Sequence, residues 1–204
     1  MTDALVQLNK NIARVVELGS ISHLLHKTYP LLKQECDEIL RSQVVLIVSS
    51  FDTFIHDCVR VKIINIFVDK KDLSTLLSSY SIDFCHLMVL DTLDSIQDKI
   101  NYLDGAIRDK NAKDSYQSPK SIEYASGLMN ITKIWAKLSD IMHEPAKDIK
   151  DKLSLIIDRR NKIVHESDYN SITQSYNPIS EEDVVNIVDF VRRISMAIYE
   201  ISNQ

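Results

Sequence analysis

Val44-Val45-Leu46-Ile47-Val48-Ser49-Ser50-Phe51 is the stretch whose reading decides the fold. An apolar run this short suits a buried strand and a buried helix alike, and its β-branched residues lean towards a strand. The residues that follow separate the two. Phe51, Phe54, Ile55, Cys58, Val59, Lys62 and Ile63 recur every three or four positions. That is the repeat of one helix face, whereas a strand alternates every second residue. The segment from about Leu31 to Val68 therefore reads as one long helix. A helix that is apolar nearly all round lies buried between others, which makes this the central element. Asp52, His56, Asp57 and Arg60 fall on its more polar side.

Composition agrees with a helical fold. The chain has 204 residues, 45% hydrophobic and 26% charged, an ordinary balance for a globular protein that builds its core without disulfides or metal. Three glycines and four prolines are too few for the many tight turns of a sheet-rich fold. No repeat, low-complexity segment or linker divides the chain. Residues 1–204 are expected to form a single all-α bundle, with a long central helix and extra short helices.

The formal net charge of −5 excludes a broad basic surface for duplex nucleic acid. It leaves room for a small cationic site that engages one or two phosphates. Cys36, Cys58 and Cys85 are widely spaced and flanked by apolar residues, so all three read as reduced core thiols of a cytoplasmic protein. Met1-Thr2-Asp3-Ala4 lacks the pattern of a signal peptide, and no apolar run is long enough to span a membrane.

Outward from the centre, helices are expected over Asp3 to Lys27, with a possible bend at Gly19-Ser20, and over Phe84 to Ile107. Shorter ones are expected over Leu73 to Leu77, Ile122 to Leu128 and Asn130 to Met142. Asp69-Lys70-Lys71-Asp72 reads as a turn, and Arg108 to Ser121 as a polar connection in which Ser118-Pro119 has the form of an N-cap followed by a proline at the first helical position. Pro145 breaks the chain before a helix from Ala146 to Ser167. Asp168 to Ile179 reads as a loop. Ser180-Glu181-Glu182-Asp183 caps a last helix that runs to Ile201.

The chemistry concentrates in Asp158-Arg159-Arg160-Asn161-Lys162-Ile163-Val164-His165-Glu166. At roughly 100° per residue, Arg160 falls on the apolar line of Ile149, Leu153, Ile156, Ile157 and Val164. A guanidinium on that line needs a partner, because burying it alone is costly. Asn161 and His165 are four apart and share a face beside it. Arg159, Lys162 and Glu166 lie further round. Arginine can grip a phosphate at two points, and histidine is the residue type whose proton is mobile near neutrality. This set suits cleavage of an RNA phosphodiester by its neighbouring 2′-hydroxyl, with no metal or cofactor required. One histidine can hardly serve both sides of an in-line displacement, so the chemistry points to a dimer. The same residues also fit a structural role, since Arg and His near a helix C-terminus are favoured by the dipole.

Arg160-Asn161-Lys162-Ile163-Val164-His165 resembles the R-x4-6-H motif of the HEPN superfamily. The helix around Ile156-Ile157-Asp158-Arg159-Arg160, the segment Gln43 to Ile55, Ser115-Tyr116-Gln117-Ser118-Pro119 and Ile134-Trp135 look like its RiboL-PSP branch. The resemblance implies an all-α homodimer with both motifs at the interface. It implies metal-independent endoribonuclease activity that leaves a cyclic phosphate, in toxin–antitoxin or antiphage systems where an antitoxin or other partner protein is present. Arg160, Asn161 and His165 are then the catalytic residues. Asp52, with Asp57 second, is the candidate for an assisting acid on the central helix, and a capping or ion-pairing aspartate fits there equally. Arg159 and Glu166 are further accessory candidates. The alternatives are a non-catalytic HEPN module for RNA binding or dimerisation, and a helical adaptor in which the motif is structural.

Elsewhere the signals are weak. His23 and His26 lack a third ligand for zinc. His56, His86 and His143 read as isolated. Gly19, Gly105 and Gly127 build no phosphate loop, and no serine sits in a nucleophile elbow.

Overall fold

The computed structural model describes residues 2–69 and 77–203. The expected turn at Asp69 to Asp72 and the short helix over Leu73 to Leu77 lie outside the described residues, apart from their end positions Asp69 and Leu77. Eight helices are described: α1 (Thr2–Thr28), α2 (Lys33–Asp69), α3 (Phe84–Thr92), α4 (Ile96–Asn111), α5 (Pro119–Leu128), α6 (Ile134–Met142), α7 (Ala146–Glu166) and α8 (Glu181–Ser202). Two short strands, β1 (Tyr169–Asn170) and β2 (Ser175–Tyr176), pair antiparallel between α7 and α8. The fold is all-α, as expected.

α2 is the axis of the bundle. Its 37 residues span about 55 Å at 1.5 Å per residue. Val44, Ile47, Val48, Phe51, Phe54, Ile55 and Cys58 are buried on nearly every side of it. Neighbours surround it because its apolar surface exceeds what one partner can cover. α1 runs antiparallel to it: Gln43 Nε2 donates to the Val15 carbonyl at 2.7 Å, and Ser22 Oγ to the Cys36 carbonyl at 3.2 Å. α8 runs parallel, with Lys62 Nζ donating to the Ser202 carbonyl at one end and His23 beside Glu181 at the other. α7 lies against α2 and runs antiparallel to α8. Its Lys152 ammonium sits over the Phe190 ring, and Glu144, just before it, pairs with Arg193. Among the described residues no helix is long and apolar enough to cross a membrane.

Several expectations need correction. The helix expected over Phe84 to Ile107 is two. Leu93 and Ser95 take extended conformations, and Ser95 caps α4 by accepting from the Asp98 amide. The apolar stripe continued through this cap and hid it. α4 extends to Asn111, into the expected polar connection. α5 begins at Pro119 with Ser118 as its cap, as the Ser118-Pro119 pair indicates, and Ser121 completes the capping box, so the helix starts ahead of the expected Ile122. Asn130 and Lys133 are left-handed, with φ of 62° and 54°, so α6 starts only at Ile134. α1 runs unbroken through Gly19-Ser20. The loop after α7 holds the hairpin, whose tip is tied by Asn170 Oδ1 accepting from the amides of Ile172 and Thr173. Cys36 and Cys58 are core thiols, but Cys85 is exposed, because α3 buries none of its residues.

Candidate functional site

α7 carries the motif in its last two turns. Ile149, Leu153, Ile156 and Ile157 are buried against the bundle, and Ile163 packs on the same core. Arg160 continues that line and is half-buried, as the helical projection requires. Val164 does not close the line; it is 45% exposed. His165 and Glu166 are likewise exposed.

The two adjacent arginines have opposite environments. Arg159 Nη2 donates to Asp168 Oδ2 at 2.8 Å and to the Pro178 carbonyl at 3.0 Å. Arg160 has no carboxylate within ion-pair distance among the described residues. Nη1 donates to the neutral Asn161 Oδ1 at 3.1 Å, and Nε is buried with no partner. The partner expected for a guanidinium on the apolar line is therefore only an amide.

Arg159 belongs to a cluster that the sequence reading missed. Asp168 is fully buried, with an exposure of 0%. Its Oδ2 also accepts from Arg41 Nε of α2 at 2.8 Å. Its Oδ1 accepts from Asn177 Nδ2 at 3.0 Å. Arg41 Nη2 donates to the Asn177 carbonyl at 2.9 Å, and its Nη1 reaches Glu38 at 3.1 Å. Two guanidiniums thus share one buried carboxylate, and backbone carbonyls and Glu38 accept further N–H groups. Ser167 and Asp168 are left-handed, with φ of 51° and 55°, and the Asp168 amide donates to the Lys162 carbonyl at 2.9 Å. This closes the α7 C-terminus in the manner of a left-handed cap. The clamp ties the end of α7, the hairpin and the start of α2 together. One signal was present in the sequence: Arg41 lies three residues before Val44 and seven before Val48, on a face that is otherwise apolar.

Asp52 sits elsewhere. Its Oδ1 accepts from the Tyr116 amide at 2.6 Å and lies 4.0 Å from His56 Nε2. The His56 ring stacks on Tyr116 with centroids 4.3 Å apart. Asp52, Thr53, His56, Asp57, Arg60 and Asn111 line a cavity of about 310 Å³ to which α7 contributes nothing. Asp52 thus pins the segment leading into α5, while Asp57 pairs with Arg60. His56 is not isolated, and neither is His86, which bonds Tyr102. The structure brings Arg160 and Asn161 together at the end of α7, with His165 one turn beyond Asn161.

A family model described as RiboL-PSP-HEPN matches residues 9–204. The chain belongs to that HEPN family. No curated protein and no solved structure matches it. The HEPN match takes in α2, α7 and the clamp between them, so the central axis and the motif helix both lie within the family's domain.

Proposed function

We propose that this HEPN protein is a metal-independent endoribonuclease that acts as a homodimer. The observation that carries the reading is the contrast between Arg159 and Arg160. One is ion-paired with Asp168 and bonded to backbone carbonyls through Nη2; the other is half-buried against a neutral amide. Leaving a guanidinium uncompensated is costly, and the two non-bridging oxygens of a phosphodiester monoanion fit its fork. RNA brings that partner.

In this mechanism Arg160 binds the non-bridging oxygens and stabilises the charge that grows on them in the transition state. Asn161 orients the guanidinium. The 2′-hydroxyl oxygen attacks the adjacent phosphorus, and its proton passes to one His165. The P–O5′ bond breaks, and the departing oxygen takes a proton from a second His165. The products are a 2′,3′-cyclic phosphate and a 5′-hydroxyl end. One chain presents one exposed His165, and the second comes from a symmetry-related copy. A setting in toxin–antitoxin or antiphage defence, in the cytoplasm and with a partner antitoxin, rests on the family alone.

The test is incubation with cellular RNA in EDTA, comparing the native sequence with Arg160→Ala and His165→Ala. Cleavage that both substitutions abolish, with cyclic-phosphate ends, supports the proposal. Cleavage that survives both rejects the site. RNA binding without cleavage by a folded dimer assigns the chain to the non-catalytic HEPN modules instead.

A further inference from the structure

We infer that Asp83, Cys85 and His86, at the N-terminus of α3, form a zinc(II) site. One ligand atom from each of the three lies within 4.8 Å of the other two. Tetrahedral zinc with ligand bonds of 2.0–2.3 Å sets its ligand atoms roughly 3.3–3.7 Å apart. Closing that gap takes only side-chain rotation, and Asp83 and Cys85 are exposed enough to rotate.

Local structure presents the three donors on one turn. Asp83 holds the N-cap position in an extended conformation, with φ −64° and ψ 148°, and its side chain makes no cap hydrogen bond. Aspartate at that position ordinarily caps, so this carboxylate is left available. Cys85 and His86 follow in the first helical turn.

A second observation points the same way. His86 Nδ1 lies 3.0 Å from the Tyr102 hydroxyl of α4. In the tautomer whose Nδ1–H donates to the phenol oxygen, Nε2 carries the free lone pair for the metal, and the phenol stands where a carboxylate, carbonyl or water ordinarily fixes a metal-bound histidine. Asp83 and His86 also line a cavity of about 140 Å³ with Asp109 of α4. The fourth position goes to water.

Thiolate, imidazole and carboxylate together select zinc over magnesium or calcium, which prefer oxygen alone. Binding releases the Cys85 thiol proton, and thiolate plus carboxylate neutralise the ion. The site would fasten α3, which buries none of its residues, to α4.

The experiment is cobalt(II) and zinc(II) titration of the whole chain, with metal content measured after dialysis. We expect one ion per chain and a thiolate-to-cobalt charge-transfer band. Cys85→Ser abolishes the band, His86→Ala lowers affinity at least 10-fold, and Tyr102→Phe lowers it about 10-fold through the lost outer bond. Circular dichroism of each variant is unchanged. Absence of stoichiometric metal from the folded native chain overturns the proposal. So does binding that Cys85→Ser and His86→Ala leave intact. Cleavage in EDTA by the motif on α7 is a separate readout, so failure of the ribonuclease reading does not decide this one.

Discussion

Substituting Asp168→Asn tests the clamp at the end of the motif helix. The carboxylate is 0% exposed and takes two guanidinium bonds on Oδ2, from Arg41 and Arg159, each at 2.8 Å. An asparagine of the same shape offers one oxygen and one NH2 group. If the oxygen faces the arginines, the NH2 group meets the Asn177 amide N–H that donates to Oδ1. If it is flipped, the NH2 group meets two cations. Either way Arg41, only 4% exposed, is left without its buried counter-charge. Removing one partner of a buried ion pair costs about 3–5 kcal/mol. For a chain of this size, about 2–4 °C per kcal/mol converts this to a fall of about 6–20 °C in Tm. Urea and thermal unfolding followed by circular dichroism measure it. Arg159→Ala should cost less than Arg41→Ala, because its side chain is 24% exposed against 5%. A loss below about 1 kcal/mol for Asp168→Asn would refute the claim that this network, rather than apolar packing, holds the hairpin and the α7 terminus in place.

Other perturbations separate structural from chemical roles. Asp52→Asn replaces a charged acceptor of the Tyr116 amide with a neutral one; it should cost about 1–2 kcal/mol in stability while the cleavage rate of the folded protein stays the same. Thiol labelling of the native chain should modify Cys85 alone within minutes, and denaturation should release Cys36 and Cys58. Burial pushes the Cys58 thiol from 9.0 up to about 12 and the Tyr80 phenol from 10.0 up to about 12. The folded chain therefore keeps protons that the unfolded chain gives up. Stability from these groups is fully present below about pH 9 and is lost as pH rises towards 12, which unfolding curves across that range will register.

The sequence made the axis legible because three-and-four spacing from Phe51 to Ile63 leaves a strand no consistent buried face. It also placed Arg160 on the core-facing line of α7, and the half-buried guanidinium agrees. What it hid was tertiary. Arg41 and Asp168 are 127 positions apart, and nothing local to either announces the pair. The exposure of Cys85 escaped because its apolar neighbours Phe84, Leu87 and Met88 are themselves exposed, so flanking hydrophobicity misled. The break before α4 escaped because Leu93 and Ile96 keep the stripe in register across a serine cap. The division of labour between Arg159 and Arg160 depends on which one the folded hairpin can reach, and their sequence order is silent on that.

The most direct measurement is a paired one on Arg160→Ala and Arg159→Ala: initial RNA cleavage rate in EDTA beside the free energy of unfolding. The account predicts that Arg160→Ala slows cleavage by about 100-fold or more with stability nearly unchanged. It predicts that Arg159→Ala lowers stability while the folded fraction cleaves at close to the native rate. Equal loss of cleavage in both variants, or native cleavage by Arg160→Ala, would contradict it.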